Sequence, residues 1–201
     1  MIRHFIFDMG NVLIDFNPDY ILSHFTTDIH ELGKLKSYVF GGDTWLKLDN
    51  GDISIDDAYS EIAARAPELY HETLHEIVHS WSDYTPSREA MIDLIENLKE
   101  QGYSLHLCSN AANTFYDYKH KIKALELFDS ITISADINIS KPKPGIYEHV
   151  LKENNLSPLD CIFVDDSMAN VQAASKLGMH GFHYTGSPDI LRKYLTNLKL
   201  L

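Results

Sequence analysis

Apolar residues follow two different patterns along the chain. Four short runs, Phe5 to Phe7, Ser104 to Cys108, Ser130 to Ser134 and Cys161 to Val164, are mainly apolar, the second and third interrupted by His106 and Thr132, and are bounded by Gly, Asp, Asn or Ser. Such runs suit strands covered on both faces, as in a parallel sheet. Between these runs the apolar positions recur at helical spacing. Arg88 to Gln101 carries Met91, Ile92, Leu94, Ile95 and Leu98 on one stripe and stops at Gly102. Lys143 to Asn155 opens on Pro144, a residue suited to a first helical turn, and carries Ile146, Tyr147, Val150 and Leu151. Met168 to Leu177 runs through Val171, Ala173 and Ala174 to Gly178. Strand alternating with helix predicts an α/β fold with a doubly wound parallel sheet.

The spacing is uneven. About a hundred residues separate the first run from the second, far more than a single crossover needs. This stretch holds helical patterns of its own at Tyr20 to Phe25, Glu31 to Phe40, Ile55 to Ala66 and Glu68 to Trp81, with Asp52 and Ser54 as candidate caps before the third. The expected organisation is a core of residues 1–16 and 87–201, with residues 17–86 inserted as an all-helical unit.

Composition narrows the partners. Of 201 residues, 17 are Lys or Arg and 29 are Asp or Glu, a net charge of −12. That field repels phosphate backbones and anionic membranes, so nucleic acid and membrane are not expected partners. A phosphorylated ligand has to be won locally, by a metal ion or a few placed cations. The two cysteines, Cys108 and Cys161, lie in apolar runs and read as reduced core residues. No run of roughly 18 apolar residues occurs, and Asp8 interrupts the N-terminal apolar run, so neither a membrane span nor a signal peptide is expected. The chain reads as cytoplasmic, and as a monomer or homodimer.

Ligands of open α/β sheets bind beyond the carboxyl ends of the strands. The first run ends at Asp8, followed by Met9-Gly10-Asn11-Val12; the second ends at Ser109-Asn110 and the fourth at Asp165-Asp166. The loop after the third carries Lys141-Pro142-Lys143-Pro144. Three carboxylates, a hydroxyl and a lysine therefore converge on one sheet edge. Clustered carboxylates repel one another unless a hard cation joins them, and Mg²⁺ prefers such oxygen ligands. With the hydroxyl and the lysine, the set can hold a phosphate against the metal, and an aspartate there is a candidate nucleophile.

In this order, Phe7-Asp8-Met9-Gly10-Asn11-Val12-Leu13, Leu107-Cys108-Ser109-Asn110, Ser140-Lys141-Pro142-Lys143-Pro144 and Phe163-Val164-Asp165-Asp166-Ser167 with Asn170 resemble the haloacid dehalogenase-like superfamily of hydrolases. The first segment is similar in wording to bacterial sugar-phosphatase-like members, including alpha-glucose-1-phosphate phosphatases. The resemblance implies a Rossmann-like hydrolase core with a helical cap and a Mg²⁺-dependent phosphatase acting on sugar or acyl phosphates. It implies that Asp8 is the nucleophile and a metal ligand, and that Gly10 lends its backbone carbonyl to the metal. Ser109 and the Asn110 N–H would hold phosphoryl oxygens, and Lys141 would offset charge on the nucleophile and phosphate. Asp166 would bind the metal, with Asp165 a direct or indirect helper and Asn170 orienting the loop.

Gly10 departs from that pattern. Most phosphatases of the superfamily carry a second aspartate there, which protonates the leaving group; general acid help of this kind contributes on the order of 10²–10⁴-fold. Three substitutes offer themselves: a leaving group that needs no proton, a residue of the helical insert, or Asp15 or a histidine reaching in. Without any of them the chain becomes a phosphate-ligand-binding relative with little turnover, or a haloacid dehalogenase.

A second chemistry is written in the insert. His71-Glu72-Thr73-Leu74-His75 matches H-E-x-x-H, the zinc peptidase signature, and His75 to His79 matches it again. Leu74, Ile77, Val78 and Trp81 form the apolar stripe of that helix, which places the histidines on its flank and the glutamates toward water. Asp49-Asn50-Gly51-Asp52 hints at a Ca²⁺ loop, but its glycine falls early and no glutamate stands at the twelfth place, so it reads as a turn. Trp45, Tyr59, Tyr70 and Trp81 are expected mainly in the insert's core, with Tyr116 and Tyr118 as possible pocket edges.

Overall fold

The computed structural model describes residues 1–201. Five strands, β1 (His4–Phe7), β2 (Ser104–Ser109), β3 (Ser130–Ile133), β4 (Cys161–Asp165) and β5 (His180–His183), form one sheet in the order β3-β2-β1-β4-β5. Every neighbouring pair is parallel, and β1 lies in the middle with Phe7 opposite Leu107 on one side and Val164 on the other. This is the Rossmann-like, doubly wound sheet that the alternation predicts. The chain runs outward from β1 to β3, then returns to the far side of β1 for β4 and β5. That reversal opens a crevice beyond the carboxyl ends of β1 and β4.

Pleating sorts the strand residues to two faces. Phe5, Phe7, Leu105, Leu107, Ile162 and Val164 pack under the Glu89–Glu100 and Pro188–Asn197 helices, through Met91, Leu94, Ile95, Leu98, Leu191 and Leu195. Ile6, Cys108, Cys161 and Phe163 face the other way, onto Ile146, Tyr147 and Val150 of the Pro144–Glu153 helix and Ala174 of the Met168–Lys176 helix. Both cysteines are buried and free, and burial pushes each thiol up to about 12, which fits a role as packing residues.

Between β1 and the Glu89–Glu100 helix the chain is helical: Pro18–Leu22, Ile29–Phe40, Thr44–Asp49, Ile55–Ala63 and His71–Ser80. These helices build their own core from Leu22, Leu35, Val39, Ile62, Leu74, Ile77 and Val78. Their starts are written locally. Asn17 accepts from the N–H groups of Asp19 and Tyr20, Asp28 from those of His30 and Glu31, and Ser54 forms a reciprocal capping box with Asp57. Each such cap is worth about 1 kcal/mol. Asp52, the other candidate cap, instead accepts from the Asn50 side chain.

Three elements escape the sequence pattern. Strand β5 is His-Gly-Phe-His, an edge strand with no apolar run. Thr44–Asp49 spans little more than a turn, and Pro188–Asn197 closes the chain over the first core face. The His71–Ser80 helix stops before Trp81, which begins a 3₁₀ turn and so leaves the helix's apolar stripe. No helix is long and apolar enough to cross a membrane.

Candidate active site

Asp8 sits one residue beyond β1, its N–H still donating to the Val164 carbonyl at 2.9 Å. Immediately after it the chain folds tightly: the Met9 carbonyl accepts from Val12, Leu13 and Ile14, and Asn11 adopts a left-handed φ of 55°. Asp8 is thus held at the sheet edge with 8% of its surface exposed.

Lys141 reaches the same point from the loop after β3. Its Nζ lies 2.7 Å from Asp8 Oδ1 and 2.7 Å from Asp165 Oδ2, and its side chain is 1% exposed. Asn110, one residue past β2, places it: Asn110 Oδ1 accepts from the Lys141 N–H at 2.7 Å, and Asn110 Nδ2 donates to the Lys141 carbonyl at 3.0 Å. The Asn110 side chain therefore positions the lysine loop. Asp165 is fully engaged. Its Oδ1 accepts from the Ser167 N–H and Asn170 Nδ2, and its Oδ2 accepts from Asn170 as well as Lys141. Asp165 thus orients Lys141, while Asp166 keeps one oxygen uncommitted and takes a hydrogen bond from Asn11 Nδ2 at 3.0 Å on the other. Ser109 is buried at the same edge, and its hydroxyl has only a 3.5 Å contact to the Asn110 carbonyl.

Carboxylate oxygens of Asp8, Asp165 and Asp166 lie within 4.8 Å of one another. One lysine against three carboxylates leaves an excess of negative charge that a divalent cation would balance. Burial pushes Asp8 up to about 6 although Lys141 opposes the shift. Burial alone would lower Lys141, but Asp8 and Asp165 outweigh it and hold the ammonium above the usual lysine range. The donor set is all oxygen, so it fits a hard cation.

Over this floor lies a cavity of about 210 Å³. Its polar lining includes Asp8, Ser109, Asn110, Lys141 and Asn170, and Gly10 also borders it. Its upper wall is aromatic: Phe16, Trp45, Trp81 and Tyr118. Ring centroids are 5.5 Å apart for Phe16 and Trp81, 5.4 Å for Trp45 and Trp81, and 5.4 Å for Trp81 and Tyr118. Trp45 and Trp81 thus line the cavity, whereas Tyr59 and Tyr70 stay with the insert's core. Tyr116 is exposed and donates to Asp136 outside the cavity. Phe16 and Asp49 are lining residues the sequence reading does not single out. Asp49 hides there because its segment reads as a turn.

The zinc peptidase set does not assemble. His71 Nε2 is taken up by the Ala66 carbonyl at 3.2 Å, and His75 stacks on His79 at 4.2 Å between centroids. His79 in turn contacts Asp56, and no third acid or histidine joins His71 and His75 in a ligand cluster. These side chains decorate a helix flank. Asp15 is likewise spent on Arg88, at 2.6 Å, and borders other hollows.

A family model of haloacid dehalogenase-like hydrolases matches residues 2–178. The chain belongs to this family. A sesquiterpene phosphatase of Aspergillus oryzae is 32% identical over 183 residues, covering 90% of this chain and 89% of that protein. A D-ribitol-5-phosphate phosphatase of Bacteroides thetaiotaomicron is 24% identical over 204 residues, 94% and 95% of the two chains. Among solved structures, a HAD family enzyme of Bacteroides thetaiotaomicron in complex with magnesium and inorganic phosphate superposes with a TM-score of 0.77 at 19% identity. The match covers 96% of this chain and 100% of that one, and it establishes the shared fold. Membership makes the chain a hydrolase, with the motif-bearing strand ends at the sheet edge the family motifs imply.

Proposed function

We propose that this phosphoric monoester hydrolase cleaves small phosphomonoesters through an aspartyl-phosphate on Asp8, with Mg²⁺ held by Asp8, Asp166 and the Gly10 carbonyl. The observation that carries this reading is the buried Lys141 ammonium, 2.7 Å from both Asp8 and Asp165, in a cluster that keeps surplus negative charge. A cation there would neutralise phosphate charge and let a dianion approach a carboxylate. Asp8 attacks phosphorus in line with the departing oxygen. The Ser109 hydroxyl, the Asn110 N–H and Lys141 take the phosphoryl oxygens as their charge redistributes, which is where phosphoryl-transfer catalysis chiefly lies. Asp165 and Asn170 keep Lys141 in register. Water then releases phosphate from Asp8. A haloacid substrate would leave the surplus negative charge of this cluster unanswered, which weighs against the dehalogenase alternative.

The aromatic wall refines the substrate. Phe16, Trp45, Trp81 and Tyr118 offer apolar faces where the ester's alcohol must lie, and few polar groups to replace the water around a sugar. An apolar alcohol such as a prenyl or aryl group fits this wall better than glucose does. The phosphatase of Aspergillus oryzae, which by its name acts on a sesquiterpene, supports the same direction. Phosphate release from prenyl, phenyl and glucose phosphates, with Mg²⁺ and with EDTA, tests the reading. Turnover is expected only with Mg²⁺, with kcat/KM at least about tenfold higher for the prenyl than the sugar ester, the worth of one well-buried apolar group. Release that survives EDTA contradicts the metal assignment, and a preference for the sugar ester contradicts the apolar wall as selector.

A further inference from the structure

The chemistry at Asp8 leaves the departing oxygen without a proton source, because Gly10 has no side chain to give one. We propose that Asp49, delivered by the helical insert, is the general acid that protonates the leaving group. The assignment rests on the phosphatase reading of the Asp8 site.

Asp49 is the last residue of the Thr44–Asp49 helix and lines the cavity above Asp8. The two are the only carboxyl side chains on that lining; its other ionisable groups are Lys141 and Tyr118, and no histidine reaches it. Asp8 is committed as the nucleophile and Lys141 is held between two carboxylates. The Asp49 carboxyl makes no ion pair and takes no hydrogen bond from any protein group, unlike Asp15, which Arg88 neutralises. A carboxyl facing a cavity with no partner is free to serve whatever enters.

The turn that follows Asp49 is fastened to the core, next to the lysine loop. Ser134 Oγ donates to the Asp49 carbonyl. Asn138 Nδ2 donates to the Asn50 and Gly51 carbonyls at 3.1 and 3.2 Å, and Ser140 Oγ donates to Asn50 Oδ1 at 2.7 Å. Ser140 adjoins Lys141 in sequence. Gly51 has φ +76°, and a Cβ there would stand 2.6 Å from the Ala135 carbonyl, so only glycine permits so close a seat. The Asp49-Asn50-Gly51-Asp52 segment, which resembles a metal loop in sequence, is a clamp that registers Asp49 against the site. Burial, with the Asp8 charge adding, pushes the Asp49 carboxyl up to about 8, so it carries its proton at neutral pH as a donor must.

In the first step the Asp8 carboxylate forms a bond to phosphorus, the ester P–O bond breaks, and the Asp49 proton passes to the departing alkoxide oxygen. Asp49 is left as a carboxylate. It then accepts a proton from the water that attacks the aspartyl-phosphate, which restores both side chains and frees phosphate.

Leaving-group release in the first turnover, measured with Mg²⁺ for an alkyl phosphate and for acetyl phosphate, tests this assignment in wild type, Asp49→Asn, Asp15→Asn and Tyr118→Phe. Asparagine keeps the shape of Asp49 and removes an unpaired acid, so the melting temperature should hold. Asp49→Asn is expected to slow the alkyl ester by about 10²–10³-fold and acetyl phosphate by less than about threefold, since acetate leaves without a proton. Above pH 8 the wild-type alkyl rate should fall as Asp49 ionises, and the variant's rate should be flat there. Equal losses on both substrates, no loss, or the selective loss appearing in Asp15→Asn or Tyr118→Phe instead would overturn the assignment. Wild-type protein that releases neither leaving group would overturn the phosphatase reading itself, an outcome distinct from an active enzyme indifferent to Asp49.

Discussion

Asp8→Asn is expected to lose turnover by at least about 10⁴-fold and yet to fold at least as well as wild type. The loss follows from covalent catalysis: an amide is no nucleophile toward phosphorus, and the residual rate comes only from binding and positioned charge. The stability effect follows from the electrostatics. Burial pushes the Asp8 carboxyl up to about 6 against an ordinary value of 3.8, with Lys141 opposing the shift. A folded pKa above the unfolded one means that the folded state holds the proton more firmly, so stability falls as pH rises through that window and the ionised form is a net burden at pH 7. Asparagine lifts that burden, and Lys141 keeps Asp165 as its partner. The melting temperature should therefore rise by a few degrees at pH 7, since about 1 kcal/mol moves a domain of this size by ~2–4 °C. The gain should vanish near pH 4. A phosphate-release assay and thermal melts at both pH values check this; full activity in the variant would remove Asp8 from the mechanism, and a lost transition would make it a structural residue.

The second large effect runs the opposite way. Lys141→Met fits the volume but leaves Asp8 and Asp165 facing each other, in a site where the lysine side chain is 1% and that of Asp165 0% exposed. Breaking a buried pair by removing one partner costs about 3–5 kcal/mol, because the remaining charge has no water to turn to. Turnover should be lost as well. The deficit has a signature. Without the ammonium the Asp8 carboxyl takes up its proton more readily in the folded state, so the variant recovers stability as pH falls, which a mere packing defect would not do. Adding Asp8→Asn to Lys141→Met should restore part of the loss, and urea unfolding of the two single variants and the double variant measures that coupling. Additive effects, or a deficit constant from pH 5 to 8, would show that Lys141 acts through packing.

Much of this is legible in the sequence. Buried parallel strands announce themselves as short, mainly apolar runs, and an acid, a serine or an acid pair at the end of such a run marks the sheet edge where ligands bind. Asp8, Ser109, Asp165 and Asp166 are picked out that way and Lys141 by its loop after the third run, and the structure brings all five to one edge. The division of labour among them is not written in spacing. That Asp165 is consumed by Lys141, Ser167 and Asn170, whereas Asp166 keeps a free oxygen, depends on side-chain directions that only the packed loops decide. The same holds for Asn110, whose amide brackets the lysine backbone from 31 residues away. Strand β5 has no apolar run, and at the sheet's edge its residues are at most half-buried. Asp49 carried only a turn signal, since the residues that seat its turn, Ser134, Asn138 and Ser140, are about 85–90 positions away in sequence. In the H-E-x-x-H helix a local motif misleads because a zinc site needs a third ligand from elsewhere, and none is brought to it.

The central claim is that Asp8 carries the phosphoryl group. Rapid mixing of wild-type protein with a radiolabelled phosphomonoester and Mg²⁺, an acid quench within the first turnover, and mapping of the labelled peptide test it most directly. Label is expected on the peptide containing Asp8, formed only with Mg²⁺ and absent from Asp8→Asn. Product released at the wild-type rate with no label on the protein, or label on any other residue, would contradict it.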